Sequence, residues 1–196
     1  MELSESVIIT DAEIVARTLG DTSAFALLVE RYEAKLLRYV RRLGVQNAED
    51  GEDVLQDIFI KVYKNLNAFD TSLSFSSWIY RIAHNEAVSF YRKQSVRPEG
   101  HQIADSEDVL MWLPENDTTS PERLFDRRVN AETLRVALKS LDNKYRDAII
   151  LRYFEHKEYD EISDILKIPI GSVGTLIHRG KKQLADAISP EQVTIL

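Results

Sequence analysis

Apolar residues in the first half of the chain recur at intervals of three and four, the period of an amphipathic α-helix. This spacing predicts a short helix over 11–19 and a longer one that opens at Thr22 and ends near Gly44. A third helix is predicted after Asn47, whose side chain can cap a helix start. The predicted buried stripe of this third helix is Val54, Leu55, Ile58, Phe59, Val62, Tyr63 and Leu66. A fourth is predicted over 75–93. The first half is therefore expected to be a helical bundle.

The second half shows the same period. It predicts helices over 122–140 and 145–154, followed by a pair over 159–166 and 172–188. The pair is joined by a tight turn, and Ser172 is the predicted N-cap of its second helix. The predicted core of the pair is Ile162, Ile165, Leu166, Ile168, Val173 and Ile177. A helix, a tight turn and a second helix form the layout of a helix-turn-helix, although generic helical hairpins share it. The sequence lacks the alternation of apolar and polar residues, bounded by turn residues, that is typical of strands. The pattern therefore predicts an all-α protein.

Acidic charge is concentrated in the middle of the chain. Residues 96–122 carry one basic and seven acidic groups and include three prolines, whereas residues 1–95 carry 11 basic and 14 acidic groups. Residues 123–196 carry 13 basic and 11 acidic groups. A segment that is acidic, rich in proline and without an apolar period is typical of an exposed tether. We therefore expect two small helical domains, 1–95 and 123–196, joined by an acidic flexible linker over 96–122.

Composition excludes several classes of protein. Cysteine is absent, which excludes disulfides, thiolate metal sites and cysteine nucleophiles. No run of about 18 apolar residues and no basic, apolar leader is present, so we expect a cytoplasmic protein without direct membrane insertion. The four histidines share no ligand spacing, and no phosphate-binding glycine loop occurs. We expect no enzyme, no cofactor, no metal and no small-molecule substrate.

Two predicted helices carry cations in patterns that suit nucleic acid. The helix over 172–188 has small polar residues near its start, Ser172 and Thr175, and cations further on, which are Arg179, Lys181 and Lys182. Small polar groups can reach base edges while cations neutralise phosphates. A solvated basic face, favoured by the helix dipole, is the alternative.

The helix over 75–93 combines five aromatic residues with three cations and one acid. This mixture suits single-stranded nucleic acid, because aromatic rings stack on unpaired bases and cations follow the backbone. Alternatively, Phe75, Trp78 and Ile82 fall at helical spacing and belong to the core. The residues expected on the exposed face are Tyr80, Arg81, His84, Asn85, Ser89, Arg92 and Lys93.

The third helix opens with a cluster of carboxylates over 49–57. Clustered carboxylates can bind metal or act as acid and base, but the segment holds no histidine. Helical spacing places Asp53, Gln56 and Asp57 on one outward face, which suits docking to a basic partner better than a metal. A solvated face whose acids are favoured by the helix dipole explains the residues equally well.

Three segments, in this order, resemble the extracytoplasmic-function (ECF) group of bacterial RNA polymerase sigma factors. Residues 48–63 are similar to the family's polymerase-docking helix, and residues 75–85 are similar to its promoter-melting helix. Residues 160–184 look like its region-four helix-turn-helix. The resemblance covers nearly the whole chain outside the linker.

The resemblance implies partners and roles. Residues 1–95 would be region 2, which binds core RNA polymerase and melts the minus-ten promoter element, and residues 123–196 would be region 4, which reads the minus-thirty-five element. The linker would thread through the polymerase, and an anti-sigma factor is expected. The implied polymerase-binding residues are Asp53, Gln56, Asp57 and Ile60. The implied minus-ten residues are Asp70, Thr71, Ser72, Trp78, Tyr80, Arg81, His84, Asn85, Ser89, Arg92 and Lys93. The implied minus-thirty-five residues are Ser172, Thr175, His178, Arg179, Lys181 and Lys182.

Two residues depart from the family's pattern. Gly174 and Leu176 stand where its members commonly carry polar or basic residues, which puts a conventional set of base contacts in doubt. Two other classes of protein are kept as alternatives. One is a stand-alone helix-turn-helix transcription regulator, against which the first half argues. The other is a helical adaptor whose basic helices only decorate its surface.

Overall fold

The computed structural model describes residues 9–95 and 131–188, and within these ranges it contains eight α-helices, two short 3-10 helices and no strand. The all-α prediction is confirmed. The predicted linker over 96–122, the predicted start of a helix at residue 122 and His101 lie outside the described residues.

Within residues 9–95, the first domain contains four α-helices. Their bounds are α1 Asp11–Gly20, α2 Phe25–Arg42, α3 Ala48–Asn65 and α4 Phe75–Ser95, with 3-10 helices over Thr22–Ala24 and Leu66–Ala68. The predicted helices agree with these bounds to within a few residues. Leu28, Leu36, Ile58, Val62 and Ile79 are fully buried where α2, α3 and α4 meet.

Local chemistry sets the helix ends in this domain. The Asn47 side chain accepts hydrogen bonds from the backbone N–H groups of Glu49 (2.8 Å) and Asp50 (3.2 Å), so it caps α3 as predicted. Beyond the end of α2, Gly44 takes a φ of 114°, which L side chains rarely adopt. A Cβ atom at Gly44 would also lie 1.8 Å from the Tyr91 hydroxyl oxygen, so only glycine fits there.

One residue predicted in the buried stripe of α3 lies outside it. Tyr63 is 47% exposed, and its ring contacts the Phe25 ring edge-on at 5.2 Å between centroids. The neighbouring Val62 is fully buried. One residue turns a helix by about 100°, which carries Tyr63 from the core face to the edge of the seam between α2 and α3.

Within residues 131–188, the second domain also contains four α-helices. Their bounds are α5 Ala131–Ser140, α6 Asn143–Tyr153, α7 Tyr159–Leu166 and α8 Ile170–Ala187. The core predicted for the α7–α8 pair is confirmed, since Ile162, Ile165, Val173 and Ile177 are all buried. Helix α8 lies across α6.

The prediction that Ser172 is an N-cap is wrong. Helix α7 ends at Leu166, and its C-cap residue Lys167 takes a left-handed conformation (φ 55°). Helix α8 begins at Ile170 with Pro169 in the N-cap position. The Ser172 N–H donates to the Pro169 carbonyl at 2.8 Å, which places Ser172 inside the first turn. The fixed φ of proline suits this position, where Pro169 takes φ −57° and ψ 138°, and it supplies no capping side chain.

The two domains pack directly on each other, with α4 against α7. In the part of the chain that the structure describes, no helix combines the length and apolar character needed to cross a membrane.

Candidate protein- and nucleic-acid-binding faces

Helix α3 presents the outward face predicted from the sequence. Asp53, Gln56, Asp57 and Ile60 are all exposed at spacings of three and four, opposite the buried stripe of the helix. Tyr63 extends this row by a further three residues, and sequence reasoning missed it by assigning it to the core. We call these five residues the α3 face. It combines carboxylates with exposed apolar groups, the mixture that a protein-binding surface uses. Its docking role stays a prediction.

Helix α4 presents two distinct faces. The sequence pattern had placed Asn85 on the same exposed face as Tyr80, Arg81 and His84, which is wrong. Trp78, Ile82 and Asn85 lie along one face at spacings of four and three and line an open pocket. Tyr80, Arg81 and His84 lie on another face and meet the second domain.

The pocket has a volume of about 320 Å³ and lies between the end of α3, the following 3-10 helix and α4. Its lining residues are Lys61, Asn65, Ala68, Trp78, Ile82, Asn85 and Glu86. An aromatic wall with amide groups near it can stack a planar ring and hydrogen-bond its edge. Lys61 Nζ and Glu86 Oε1 lie 2.5 Å apart and place an ion pair among these groups. Sequence reasoning found Trp78 and Asn85 but missed the contribution of α3, since only the fold brings Lys61 and Asn65 to α4.

The loop before α4 is partly polar. Asp70, Thr71 and Ser72 are exposed, and the Asp70 carboxylate accepts a hydrogen bond from the Ser72 N–H at 2.9 Å. The backbone and side-chain hydrogen bonds from Ser72 lower the pKa of Asp70 below its usual range. Phe69 turns inward and contacts the Phe75 ring (5.4 Å) and the Trp78 ring (5.0 Å), which fixes the loop beside the pocket.

The prediction that Tyr80 belongs to an exposed face is wrong. Its side chain is buried against the second domain, where its hydroxyl donates to Glu155 Oε2 at 2.8 Å. Burial, followed by the charge of Glu155, raises the pKa of Tyr80 far above its usual range, so it stays a neutral donor. Arg81 Nη1 lies 3.1 Å from Asp164 Oδ1 and is half-buried rather than free on the surface.

His84 is also half-buried at this contact. Its Nδ1 lies 3.2 Å from the Tyr39 hydroxyl, and its Nε2 lies 3.9 Å from Asp147 Oδ2. Burial lowers the pKa of His84 although Asp147 opposes that shift. Towards the end of α4, Ser89 is half-buried, whereas Arg92 and Lys93 are exposed.

Helix α8 presents most of its predicted nucleic-acid residues to solvent. Thr175, His178, Arg179 and Lys182 are exposed. Ser172 and Lys181 are half-buried, with Lys181 Nζ 5.8 Å from the centroid of the Tyr153 ring.

The two departures from the family pattern differ in their packing. Leu176 is partly buried and packs against the core, so it lies on the inner side of α8. A Cβ atom at Gly174 would lie 3.5 Å from Tyr159 Cε2, an ordinary contact distance. Within the described residues, no group of three or more acidic or histidine side chains could hold a metal ion.

Comparison with known proteins matches both domains. The family model described as Sigma-70 region 2 matches residues 28–97, and the one described as Sigma-70, region 4 matches residues 131–184. Together they cover more than half of the chain, which therefore belongs to the sigma-70 family of sigma factors. The ECF RNA polymerase sigma factor SigW of Bacillus subtilis is 34% identical over 176 residues, which cover 84% of this chain and 89% of that protein. Within the family, the chain belongs to the ECF group.

Two solved structures share the fold. CnrH in complex with the cytosolic domain of CnrY matches with a TM-score of 0.66 and 24% identity, covering 91% of this chain and 99% of that one. The sigma factor RpoE from Bartonella quintana, in complex with the anti-sigma factor NepR, matches with a TM-score of 0.62 and 21% identity. It covers 83% of this chain and 95% of its own.

Proposed function

We propose that this ECF sigma factor binds core RNA polymerase and directs it to promoters by melting the minus-ten element with region 2 and reading the minus-thirty-five element with region 4. The main support for the proposal is that a single chain presents three separate faces of suitable chemistry. These are the acidic and apolar α3 face, the aromatic pocket at α4 and the exposed basic row of α8. A stand-alone regulator needs only the last of these.

The α3 face supplies the contact with core polymerase. Asp53 and Asp57 offer charge to a basic surface, Gln56 offers hydrogen bonds, and Ile60 offers exposed apolar area. Complementary charge fixes the register and speeds encounter, while apolar contact at the centre of a patch supplies affinity.

The pocket at α4 captures a base of the non-template strand. Flipping a base out of its stack costs a few kcal/mol, so the pocket must return stacking and hydrogen bonds. Trp78 supplies an aromatic wall, and the Asn85 amide can both donate to and accept from a base edge. Asp70, Thr71 and Ser72 stand in the neighbouring exposed loop, and Ser89, Arg92 and Lys93 continue along the same helix towards the strand's phosphates.

Helix α8 reads duplex DNA. Thr175 and the half-buried Ser172 lie in its first turns, where a recognition helix reaches base edges, and His178 follows one turn later. Arg179 and Lys182 are exposed towards phosphate, with Lys181 beside them. Gly174 places no side chain in this row, so fewer base contacts are expected than the family pattern gives.

Several further features belong to the proposal. The chain supplies no catalysis, and polymerase performs the chemistry in the cytoplasm. The domains are assigned to 1–95 and 123–196, with residues 96–122 threading through the polymerase as a linker. An anti-sigma factor is the expected inhibitor, as the Bartonella quintana relative was solved with one.

The deciding experiment is run-off transcription from a supercoiled template library with core polymerase, with and without the protein. A sigma factor co-elutes with core enzyme and produces discrete start sites that share two spaced elements. A stand-alone regulator would bind duplex DNA without core enzyme and start no transcription. An adaptor would do neither, and either result would contradict the proposal.

A further inference from the structure

We infer that an acidic surface of region 4 occupies one face of the promoter-melting helix in the free protein and competes with nucleic acid for it. The inference rests on the proposed function of α4. Region 4 contributes Glu155, Lys157, Glu161 and Asp164 to this contact. Region 2 contributes Arg42 from α2, and Ser76, Ser77, Tyr80 and Arg81 from α4. We call this contact the domain latch.

Glu155 is the centre of the latch. It follows α6, and it accepts from Arg42 Nη1 at 2.7 Å and from the Tyr80 hydroxyl at 2.8 Å. The Arg42 and Glu155 side chains are only 3% and 5% exposed. The Arg42 guanidinium also lies 4.9 Å from the centroid of the Phe154 ring.

The remaining contacts run along one face of α4. Lys157 Nζ donates to the Ser76 hydroxyl at 2.5 Å and lies 4.3 Å from the centroid of the Tyr80 ring. One turn along α7, the Ser77 hydroxyl donates to Glu161 at 3.3 Å. Arg81 then donates to Asp164 at 3.1 Å. The partners on α7 are therefore carboxylates, which offer the same anionic oxygens that a nucleic-acid backbone offers.

Each acid of the latch has a cationic partner. Glu155 pairs with Arg42 of region 2, and Glu161 pairs with Lys157 of region 4. Asp164 pairs both with Arg81 of region 2 and with Lys167 of its own domain. Burying charge costs desolvation, which nearly offsets the attraction between paired ions. A complete set of pairs thus fixes the register of the two domains without holding them tightly. Loss of one partner leaves the other charge buried and uncompensated, which disfavours the closed state strongly.

This balance suits a contact that must open. On α4, the groups engaged by the latch include Tyr80 and Arg81, which belong to the proposed minus-ten set. The pocket residues Trp78 and Asn85 lie on the other face of the helix. In the closed protein nucleic acid can reach the pocket but not Tyr80 or Arg81, so full engagement of the strand requires the domains to separate.

The test uses the absence of native cysteine, which allows a single pair of spin labels in the full-length chain. Glu33→Cys on α2 and Asp186→Cys on α8 are exposed labelling positions in different domains. Pulsed electron–electron double resonance should give one narrow distribution of the distance between the two labels in the otherwise unchanged protein. Glu155→Gln should broaden and lengthen it, with a shift towards the open state of roughly a hundredfold.

The chain offers a matched control within one domain. Asp11 accepts from Arg31 and from the Tyr32 hydroxyl, as Glu155 accepts from Arg42 and Tyr80, but all three residues belong to region 2. Asp11→Asn should leave the distance distribution unchanged. If Glu155→Gln prevents folding by circular dichroism, Asp164→Asn, at a carboxylate 36% exposed, repeats the test with a smaller shift in the same direction.

A second readout decides the competition. Binding of a fluorescent single-stranded oligonucleotide carrying the mapped minus-ten sequence should tighten about tenfold or more in Glu155→Gln and not in Asp11→Asn. An unchanged distance distribution in the latch variants would overturn the latch. Domain opening without tighter oligonucleotide binding would overturn the proposed competition with nucleic acid. The sigma-factor function is tested separately, by start-site selection with core enzyme.

Discussion

Arg42 and Glu155 form a buried ion pair at 2.7 Å although 113 residues separate them in sequence and they belong to different domains. Their pairing places the start of α7 against α4 and so decides which face of α4 is covered. Glu155 also accepts from Tyr80, which ties that covered face to the same carboxylate. The α3 face, the pocket at α4 and the basic row of α8 remain accessible beside this contact.

Reversing charge on the α3 face should abolish polymerase binding. In Asp53→Lys/Asp57→Lys, like charges would face a basic surface, and we expect at least about a hundredfold weaker binding to core enzyme. The measurement is a fluorescence titration with core polymerase, with helicity checked by circular dichroism. Glu30→Lys/Glu33→Lys, an equal charge change at exposed positions of α2, is the control. Equal affinity of both double variants would refute docking through this face.

Removing the Asn85 amide should impair promoter melting. Asn85→Ala keeps the pocket's aromatic wall but loses its edge hydrogen bonds, and one well-placed pair is worth about 1–3 kcal/mol of discrimination. We expect roughly a tenfold or larger loss of permanganate reactivity at the minus-ten thymines of the open complex. Val88→Ala, at an exposed position of the same helix, should melt normally. Unchanged melting and promoter preference in Asn85→Ala would show that this amide reads no base.

The cations of α8 should account for part of the salt dependence of promoter binding. Each phosphate contact contributes a slope of about −0.9 in a plot of log affinity against log salt concentration. Arg179→Ala and Lys182→Ala should each reduce the steepness by about one such unit in holoenzyme binding to a promoter fragment. Lys144→Ala, at an exposed cation of α6, should leave the slope unchanged. A slope insensitive to Arg179 and Lys182 would argue against phosphate contacts by α8.

Alanine substitutions at two glycines of α8 should change the free energy of unfolding in opposite directions. A Cβ atom at Gly180 would lie 2.9 Å from Ile149 Cγ1 and 3.2 Å from the Tyr145 carbonyl oxygen, so Gly180→Ala must push α8 away from α6. We expect a loss of about 1–3 kcal/mol in the free energy of unfolding. Gly174 has room for a Cβ atom, and Gly174→Ala should gain up to about 1 kcal/mol from helix propensity. Urea unfolding monitored by circular dichroism measures both changes, and a stabilising Gly180→Ala would contradict the packing of α6 on α8.

The pH dependence of stability should include a contribution from His84. Burial lowers the pKa of His84 below 6.5, so protons bind the unfolded chain more readily, and stability is lost as the pH falls below 6.5 through the folded-state pKa. The facing groups are Tyr39, Arg146 and Asp147. Burial raises the pKa of Asp147 above 3.8, so its contribution has the opposite sign and stability from it is lost as pH rises through its folded-state pKa.

The variant His84→Gln tests this contribution. Urea unfolding at pH 7.5 and pH 5.5 should show a smaller loss of stability for this variant than for the unchanged protein. Carboxylates remote from His84 cancel in the comparison, whereas Asp147, whose pKa the charge of His84 lowers, belongs to the same pair. The same pH dependence in both proteins would show that His84 does not titrate differently in the folded state.

Much of the local structure follows from the sequence. The three-and-four spacing of apolar residues located the helices, and Asn47 and Gly44 marked ends that backbone chemistry requires. The outward row on α3 also followed, because the period of a helix alone determines which residues share a face. Local signals were ambiguous at Ser172, where a proline three residues earlier took the capping position instead.

The set of helices, the two-domain pattern of charge and the exposed faces of α3 and α8 can all be inferred from the order of residues. The contact of Tyr80, a residue with an aromatic ring and a polar tip, with Glu155 rather than solvent comes from the packing of the two domains. The tertiary structure likewise brought Lys61 and Asn65 of α3 to the pocket at α4 and moved Tyr63 out of the core. Helical periodicity defines the faces of one helix, but burial of a face depends on what packs against it, and those partners lie up to about a hundred residues away along the chain.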